Sequence, residues 1–118
     1  MEHIKLFEEF LNEDYKITKK LSNLEGKDIM KFRFRGNGNR LVQEFILISL
    51  KEFKKLGPED KVPIIGSLTD RHDDVNEISK KKILDWGIES AQLYSVRRST
   101  MYGLTAEEYQ MIPIEEIK

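Results

Sequence analysis

The chain has 118 residues, of which 39% are hydrophobic and 35% charged, and it contains no cysteine. This length and composition predict a single soluble domain over residues 1–118 with a modest core, and they exclude a disulfide-stabilised or thiolate-metal protein. Twenty basic residues against 21 acidic ones give a formal net charge of −1, so the chain is no general polycation for nucleic acid or membranes.

Neither a membrane span nor a secretory leader is predicted. No apolar run approaches the roughly 18 residues that a transmembrane helix needs. Glu8 and Glu9 interrupt the apolar segment near the start, which therefore lacks the continuous core of a signal peptide. Because the chain also has no cysteine, we expect a cytoplasmic location.

Residues 1–14 are predicted to form an N-terminal helix. Ile4, Phe7 and Leu11 recur at helical spacing. A helix that packs against the core is the simpler interpretation, and a detachable docking segment is the alternative. The stretch IKLFEEFLNE is similar to the N-terminal segments of some large tailed-phage proteins, which would fit a docking role.

A strand followed by a glycine loop is the most distinctive local pattern. Lys31, Arg33 and Arg35 alternate with two phenylalanines, the period of a strand with one apolar face, and we predict this strand over 28–35. Residues 36–39 are all glycine or asparagine, which tolerate positive φ. The loop is not a dinucleotide fingerprint, because Leu41 replaces the third glycine, and no Gly-Lys-Ser/Thr follows to make a Walker loop. Taken alone, it is as compatible with a β-hairpin or an ordinary strand-to-helix turn as with an anion-binding loop.

A long amphipathic helix is predicted directly after this loop. Residues 40–56 place most of their apolar side chains on one broad helical face. Asn39 is a suitable N-cap, and Gly57 with the proline after it ends the pattern. The free backbone N–H groups at such a helix start favour a bound anion, typically phosphate.

The remaining segments complete the predicted element order. We predict further strands over 15–21, 62–68 and 91–96, turns over 22–27 and 99–103, a helix over 76–86 stopped by Gly87, a helical turn over 105–109 and a strand-like end over 110–117. The order β-β-α-β-α-β-β predicts an α/β fold of the α+β kind, with helices packed on the faces of a mixed sheet.

Two segments resemble motifs of the GNAT superfamily of acyl-CoA-dependent N-acetyltransferases. The first is Arg-Phe-Arg-Gly-Asn-Gly at 33–38, followed by the apolar pair at 41–42, which is similar to the acyl-CoA loop of that family. The second is Asn-Glu-Ile-Ser at 76–79 with Ile83 and Trp-Gly-Ile at 86–88. The resemblance implies a GNAT-like core over 28–118.

The resemblance also implies a cofactor and a reaction. Acetyl-CoA would bind with its pyrophosphate on the backbone N–H groups of residues 35–40, and an unknown amine would attack the thioester. The residues implied to contact the cofactor are Arg33, Arg35, Gly36, Asn37, Gly38, Asn39, Arg40 and Asn76.

The chain departs from the family pattern at two points. Ile83 stands where the family commonly has a tyrosine acid, so Tyr94 and Tyr102 are the remaining candidates for a catalytic role. The segment before Arg33 is also too short for the usual acceptor-binding half. A compact, atypical acetyltransferase is therefore the leading hypothesis, and a non-enzymatic binding or assembly module is the alternative. The sequence leaves the oligomeric state open, and a homodimer is one of the states that it allows.

Two other clusters favour simpler interpretations. Asp70, His72, Asp73 and Asp74 form a polar loop, which we interpret as solvated rather than metal-binding, because adjacent aspartates point apart. The basic strand face at 31–35, to which Lys80–Lys82 and Arg97–Arg98 add local charge, is interpreted as solvated surface, since its phenylalanines point to the other side and leave no aromatic platform for bases. Nucleic-acid binding through this face is the third hypothesis, less favoured than the other two, and no metal is expected as a ligand.

Overall fold

The computed structural model describes residues 14–99 and 103–118. The strands of this part are β1 (Asp14–Lys16), β2 (Asp28–Arg35), β3 (Leu41–Ile46), β4 (Lys61–Ile65), β5 (Asn76–Ser79), β6 (Ser90–Ser99) and β7 (Gly103–Ile112). The α-helices are α1 (Leu50–Lys55) and α2 (Lys80–Leu84), and 3-10 helices cover Lys19–Leu24, Asn37–Asn39 and Ile114–Glu116.

The strands form one seven-stranded sheet in the order β1-β7-β6-β2-β3-β4-β5. Each neighbouring pair is antiparallel. The predicted α/β architecture with helices on the sheet is confirmed, but the described pairings contain no parallel strands. Parallel neighbours would need long crossover connections, whereas the short connection between β2 and β3 permits only a hairpin.

Each face of the sheet carries a buried hydrophobic core. The helix face, covered by α1 and α2, includes Met30, Phe32, Ile46, Phe53, Val62 and Ile83. The opposite face, covered by the 3-10 helix at 19–24, includes Leu21, Ile29, Phe45, Tyr94, Val96 and Ala106. Successive side chains of one strand therefore enter different cores, which makes apolar runs compatible with strands here.

The prediction of one long helix over 40–56 is wrong for the first half of this segment. Leu41–Ile46 is β3 and pairs with β2, and only Leu50–Lys55 is helical. Phe45 and Ile46 are both buried because they face the two separate cores, an arrangement a single helical stripe does not provide. The helix begins instead at Ser49, whose side chain accepts a hydrogen bond from the Glu52 amide.

The prediction of a second helix over 76–86 is also wrong for its first residues, which form a strand. Asn76–Ser79 is the edge strand β5, which pairs with β4, and α2 follows it. Ser79 caps α2 by accepting from the Lys82 amide at 3.3 Å. The predicted stop is confirmed in its conformation, since Gly87 has a φ of 68°.

The remaining predicted strands and turns agree with the structure in some places and differ from it in others. The strand at 28–35 is confirmed, and Phe32 is fully buried while Phe34 stacks on Trp86 at 4.5 Å. The strand predicted over 15–21 ends at Lys16 and gives way to the 3-10 helix. The prediction of a helical turn over 105–109 is wrong, because these residues belong to β7 and pair with β6. The predicted N-terminal helix lies outside the described residues, except for Asp14.

Candidate functional site

The glycine loop at 36–39 is the turn of a β-hairpin. It joins the antiparallel strands β2 and β3, with positive φ at Gly38 (72°) and Asn39 (60°). The Gly36 amide donates to the Arg40 carbonyl at 2.8 Å, and the Asn39 amide donates to the Gly36 carbonyl at 3.1 Å. Because a strand follows, the helix start that was predicted to attract an anion is not formed.

The residues implied to bind the cofactor are only partly brought together. Arg33 is half-buried, Arg40 is exposed, and Arg35 pairs with Glu89 at 3.3 Å and donates to the Asn39 carbonyl at 3.4 Å. These lie on or beside the hairpin. Asn76 is exposed on β5 and pairs with β4, so it lies at the far edge of the sheet.

Tyr94, one of the two candidate catalytic tyrosines, lies in the interior. It is fully buried, and its hydroxyl donates to a Glu108 carboxylate oxygen at 3.3 Å. The same oxygen accepts a hydrogen bond from the Gln92 side chain at 2.8 Å. The second candidate, Tyr102, lies outside the described residues.

The burial of Lys31 contradicts the interpretation of the basic face of β2 as solvated surface. It is fully buried, and its ammonium donates to the Tyr15 hydroxyl at 3.2 Å. The ammonium also lies 5.4 Å and 5.6 Å from the ring centres of Tyr15 and Tyr94, within reach of cation–π attraction. With Glu108, these residues connect β1, β2, β6 and β7, so the cluster anchors the short strand β1 against the sheet.

A basic groove lies beside β1, and the sequence pointed to none of its residues as a binding site except Arg98, which was counted as local charge. Its larger cavity has a volume of about 630 Å³. Lys16, Ile17, Thr18, Lys19, Lys20, Thr69 and Arg71 line this cavity. An adjacent cavity of about 280 Å³ is lined by Lys16, Ile17, Lys19, Ser22, Arg98, Gly103 and Leu104. We call the two cavities together the basic groove.

The backbone of the groove is held in place on both sides. The Ile17 amide donates to the Leu104 carbonyl at 2.9 Å, and the Thr18 amide donates to the Leu68 carbonyl at 2.9 Å. Ile17 itself is buried. The lysines at 16 and 19 flank this anchor and are exposed, so their charged ends face the solvent.

Lys20 attaches the loop that carries Arg71 to the 3-10 helix. Its ammonium donates to the Arg71 carbonyl at 3.3 Å and to the Asp73 carbonyl. It also forms an ion pair with Asp74 at 3.1 Å. The loop therefore brings Thr69 and Arg71 to the same cavity that the lysines near β1 line.

Three cations of the groove have no partner among the described residues. The side chains of Lys16, Lys19 and Arg71 make no hydrogen bond or ion pair there. Lys20 and Arg98 are matched by Asp74 and Glu25 respectively. A local excess of positive charge therefore exists on a chain whose net charge is −1.

Arg98, which pairs with Glu25, lines the smaller cavity and not the larger one. Three N–H···O contacts of 2.7, 3.2 and 3.2 Å join the guanidinium to the carboxylate. The hydrogen bond from Arg98 lowers the pKa of Glu25, so this carboxylate is charged across the neutral range.

Comparison with known proteins identifies no similar protein from which a role for this site could be inferred. No protein-family model matches the sequence, and no significant match is found among curated proteins or solved structures. None of the helices at 14–99 and 103–118 combines the length and apolarity needed to cross a bilayer. In the same residues, no three His, Asp or Glu side chains converge where they could hold a metal ion.

A carboxylate on the helix face provides a pH-dependent stability prediction. Glu44 is half-buried, and its pKa is raised, first by burial and then by the charge of Asp73. Folding therefore favours the protonated form, so this contribution to stability is present at low pH and is lost as the pH rises through the raised pKa. We expect Glu44→Gln to increase the free energy of unfolding at pH 7 by roughly 0.5 kcal/mol.

Urea unfolding of the wild type and of Glu44→Gln between pH 4 and 8 measures this effect. The stability difference should shrink as the pH falls, because the wild-type carboxyl becomes protonated. Glu115→Gln, at an exposed position, is the matched control. A variant that is less stable at pH 7, or a pH-independent difference, would contradict the assignment.

Proposed function

We propose that the protein is a non-enzymatic binding module that holds phosphate-bearing ligands in the basic groove. The observation that carries this proposal is the convergence of three unpartnered cations, Lys16, Lys19 and Arg71, on one cavity of about 630 Å³. Like charges gathered without counter-charges repel one another, and an anion between them relieves this repulsion.

The other groups of the larger cavity also suit a phosphate. Thr18 and Thr69 also line this cavity, and a threonine hydroxyl can donate to a phosphate oxygen. The Thr69 hydroxyl lies 3.2 Å from the Ser67 hydroxyl, and a hydroxyl can accept one hydrogen bond while it donates another. Arg71 provides a planar fork of N–H donors, and the two lysines provide compact charges. Donors from two separate chain segments surround the space, which suits a tetrahedral group with oxygens in several directions.

The acetyl-CoA-dependent N-acetyltransferase remains a hypothesis, with less physical support than the sequence suggested. Its pyrophosphate site rested on a helix start after Asn39, and that segment is a hairpin turn. Its catalytic candidate Tyr94 is buried. The non-enzymatic alternative needs neither feature, which is why the groove is the preferred basis for function.

An NMR titration of the ¹⁵N-labelled full chain with inorganic phosphate tests the proposal. We expect amide shifts concentrated at residues 16–20 and 69–71, with chloride at matched ionic strength as the control. No shift at millimolar phosphate, or shifts confined to other regions, would refute the proposed function. A parallel titration with acetyl-CoA tests the enzyme hypothesis, which requires shifts at residues 35–40.

A further inference from the structure

The two cavities of the basic groove are adjacent and share a wall. Lys16, Ile17 and Lys19 line both of them. A single phosphate in the larger cavity would leave the smaller cavity empty, although the same two lysines border it. A longer anion could pass these lysines and continue toward Arg98.

Arg98 can change partner at the far end of the groove. Its pair with Glu25 is exposed, with 59% of the arginine and 44% of the glutamate side chain accessible to solvent. The guanidinium contacts both carboxylate oxygens, and arginine binds phosphate with the same bidentate geometry, so a phosphate can take the place of the carboxylate. Glu25 then acts as a competitor for the anion that would occupy the smaller cavity.

The lining indicates which part of a ligand is recognised. Neither cavity is lined by an aromatic side chain of the described residues. Binding of single-stranded nucleic acid through its bases normally uses aromatic side chains for stacking. The contacts that the lysines and arginines of this groove would make are with phosphates, and such contacts carry no sequence preference.

We infer that the two cavities are consecutive subsites for one chain of phosphates, which enters beside Arg71 and reaches Arg98. This inference rests on the proposed function and extends it from a single phosphate to an oligoanion. Linear polyphosphate and the backbone of single-stranded nucleic acid share this chemistry. The second phosphate binds after the first is already held, so its local concentration is high and the gain in affinity is large.

Calorimetric titrations with inorganic phosphate, tripolyphosphate and oligothymidylate at one ionic strength test the inference. We expect tripolyphosphate to bind at least about tenfold more tightly than phosphate. Arg98→Gln should weaken tripolyphosphate binding by about tenfold and leave phosphate binding unchanged, since only the longer ligand reaches the second cavity. Arg71→Gln should weaken both.

Two further variants sharpen the test. Glu25→Gln removes the competing carboxylate and should strengthen tripolyphosphate binding about two- to threefold without affecting phosphate. Arg97→Gln is the matched control, because this arginine neighbours Arg98, contacts Ser95 at 3.1 Å and lines neither cavity. It should leave both affinities as in the wild type.

The outcomes separate this inference from the proposed function. If phosphate and tripolyphosphate bind equally, or if Arg98→Gln weakens both alike, the two-subsite inference is overturned while phosphate binding stands. If neither ligand binds, both proposals are overturned. Tight binding of oligothymidylate identifies nucleic acid as the source of the phosphates, whereas tight binding of tripolyphosphate alone identifies a polyphosphate.

Discussion

Reversing the charge of both Lys16 and Lys19, as K16E/K19E, is expected to lower the affinity for tripolyphosphate by at least about a hundredfold. Both side chains line both cavities, and neither has a partner among the described residues. A charge-assisted contact is worth about 1.5–3 kcal/mol, or roughly tenfold or more in affinity for each lysine lost. The replacing carboxylates add repulsion to this loss.

The double variant should fold normally, because both lysines are exposed and take no part in the core. The matched control is K54E/K55E, which changes the net charge equally but on α1, on the other side of the sheet. Calorimetry on the three proteins measures the difference. A loss of affinity as large in the control would show that only net charge matters, and the groove assignment would then fail.

The second large effect concerns stability. Phe53→Ala should lower the free energy of unfolding by about 3–5 kcal/mol. Phe53 is fully buried on the helix face, where its ring packs edge-to-face on Phe32 at 5.9 Å and lies 5.0 Å from the Lys80 ammonium. Its removal leaves a cavity beneath α1, the helix that joins β3 to β4 across this core.

Denaturant unfolding monitored by circular dichroism measures this loss. Lys54→Ala, at the next position of the same helix but exposed, should change stability by no more than about 0.5 kcal/mol. A change below about 1 kcal/mol for Phe53→Ala would mean that α1 is not a fixed part of the helix-face core. Phosphate binding by Lys54→Ala should be unaltered, since α1 lies away from the groove.

Local sequence was sufficient for several elements. Alternation in residues 28–35 predicts β2 at its observed bounds, and glycine and asparagine at 36–39 predict a turn in which Gly38 and Asn39 take positive φ. Gly87 likewise adopts the left-handed conformation expected of a helix stop. Each of these features depends on the conformational preferences of a few neighbouring residues, so no distant contact is needed to predict it.

The segment after the glycine turn could not be assigned from periodicity. Residues 40–56 fit one face of a helix, yet β3 buries Phe45 and Ile46 in opposite cores. A strand covered on both sides has no polar face, so its apolar run resembles a helical one. Residues 41–46 form a strand because they pair with β2 and β4. The helix start that was predicted as an anion site is therefore absent at this position.

The candidate site likewise combines features that local sequence predicts with features that depend on the tertiary structure. A basic run at 16–20 is visible in the sequence, but Arg71 and Arg98 reach the groove only through the tertiary fold. Lys20 holds the loop that carries Arg71, and β6, which carries Arg98, pairs with β7, the partner of β1. Lys31 has the charge expected of a surface residue, and it is buried because β1 and β6 bring two tyrosines over its ammonium. Local preferences therefore specify turns, caps and single strands, whereas the burial of a charge and the gathering of distant cations depend on strand pairing between remote segments.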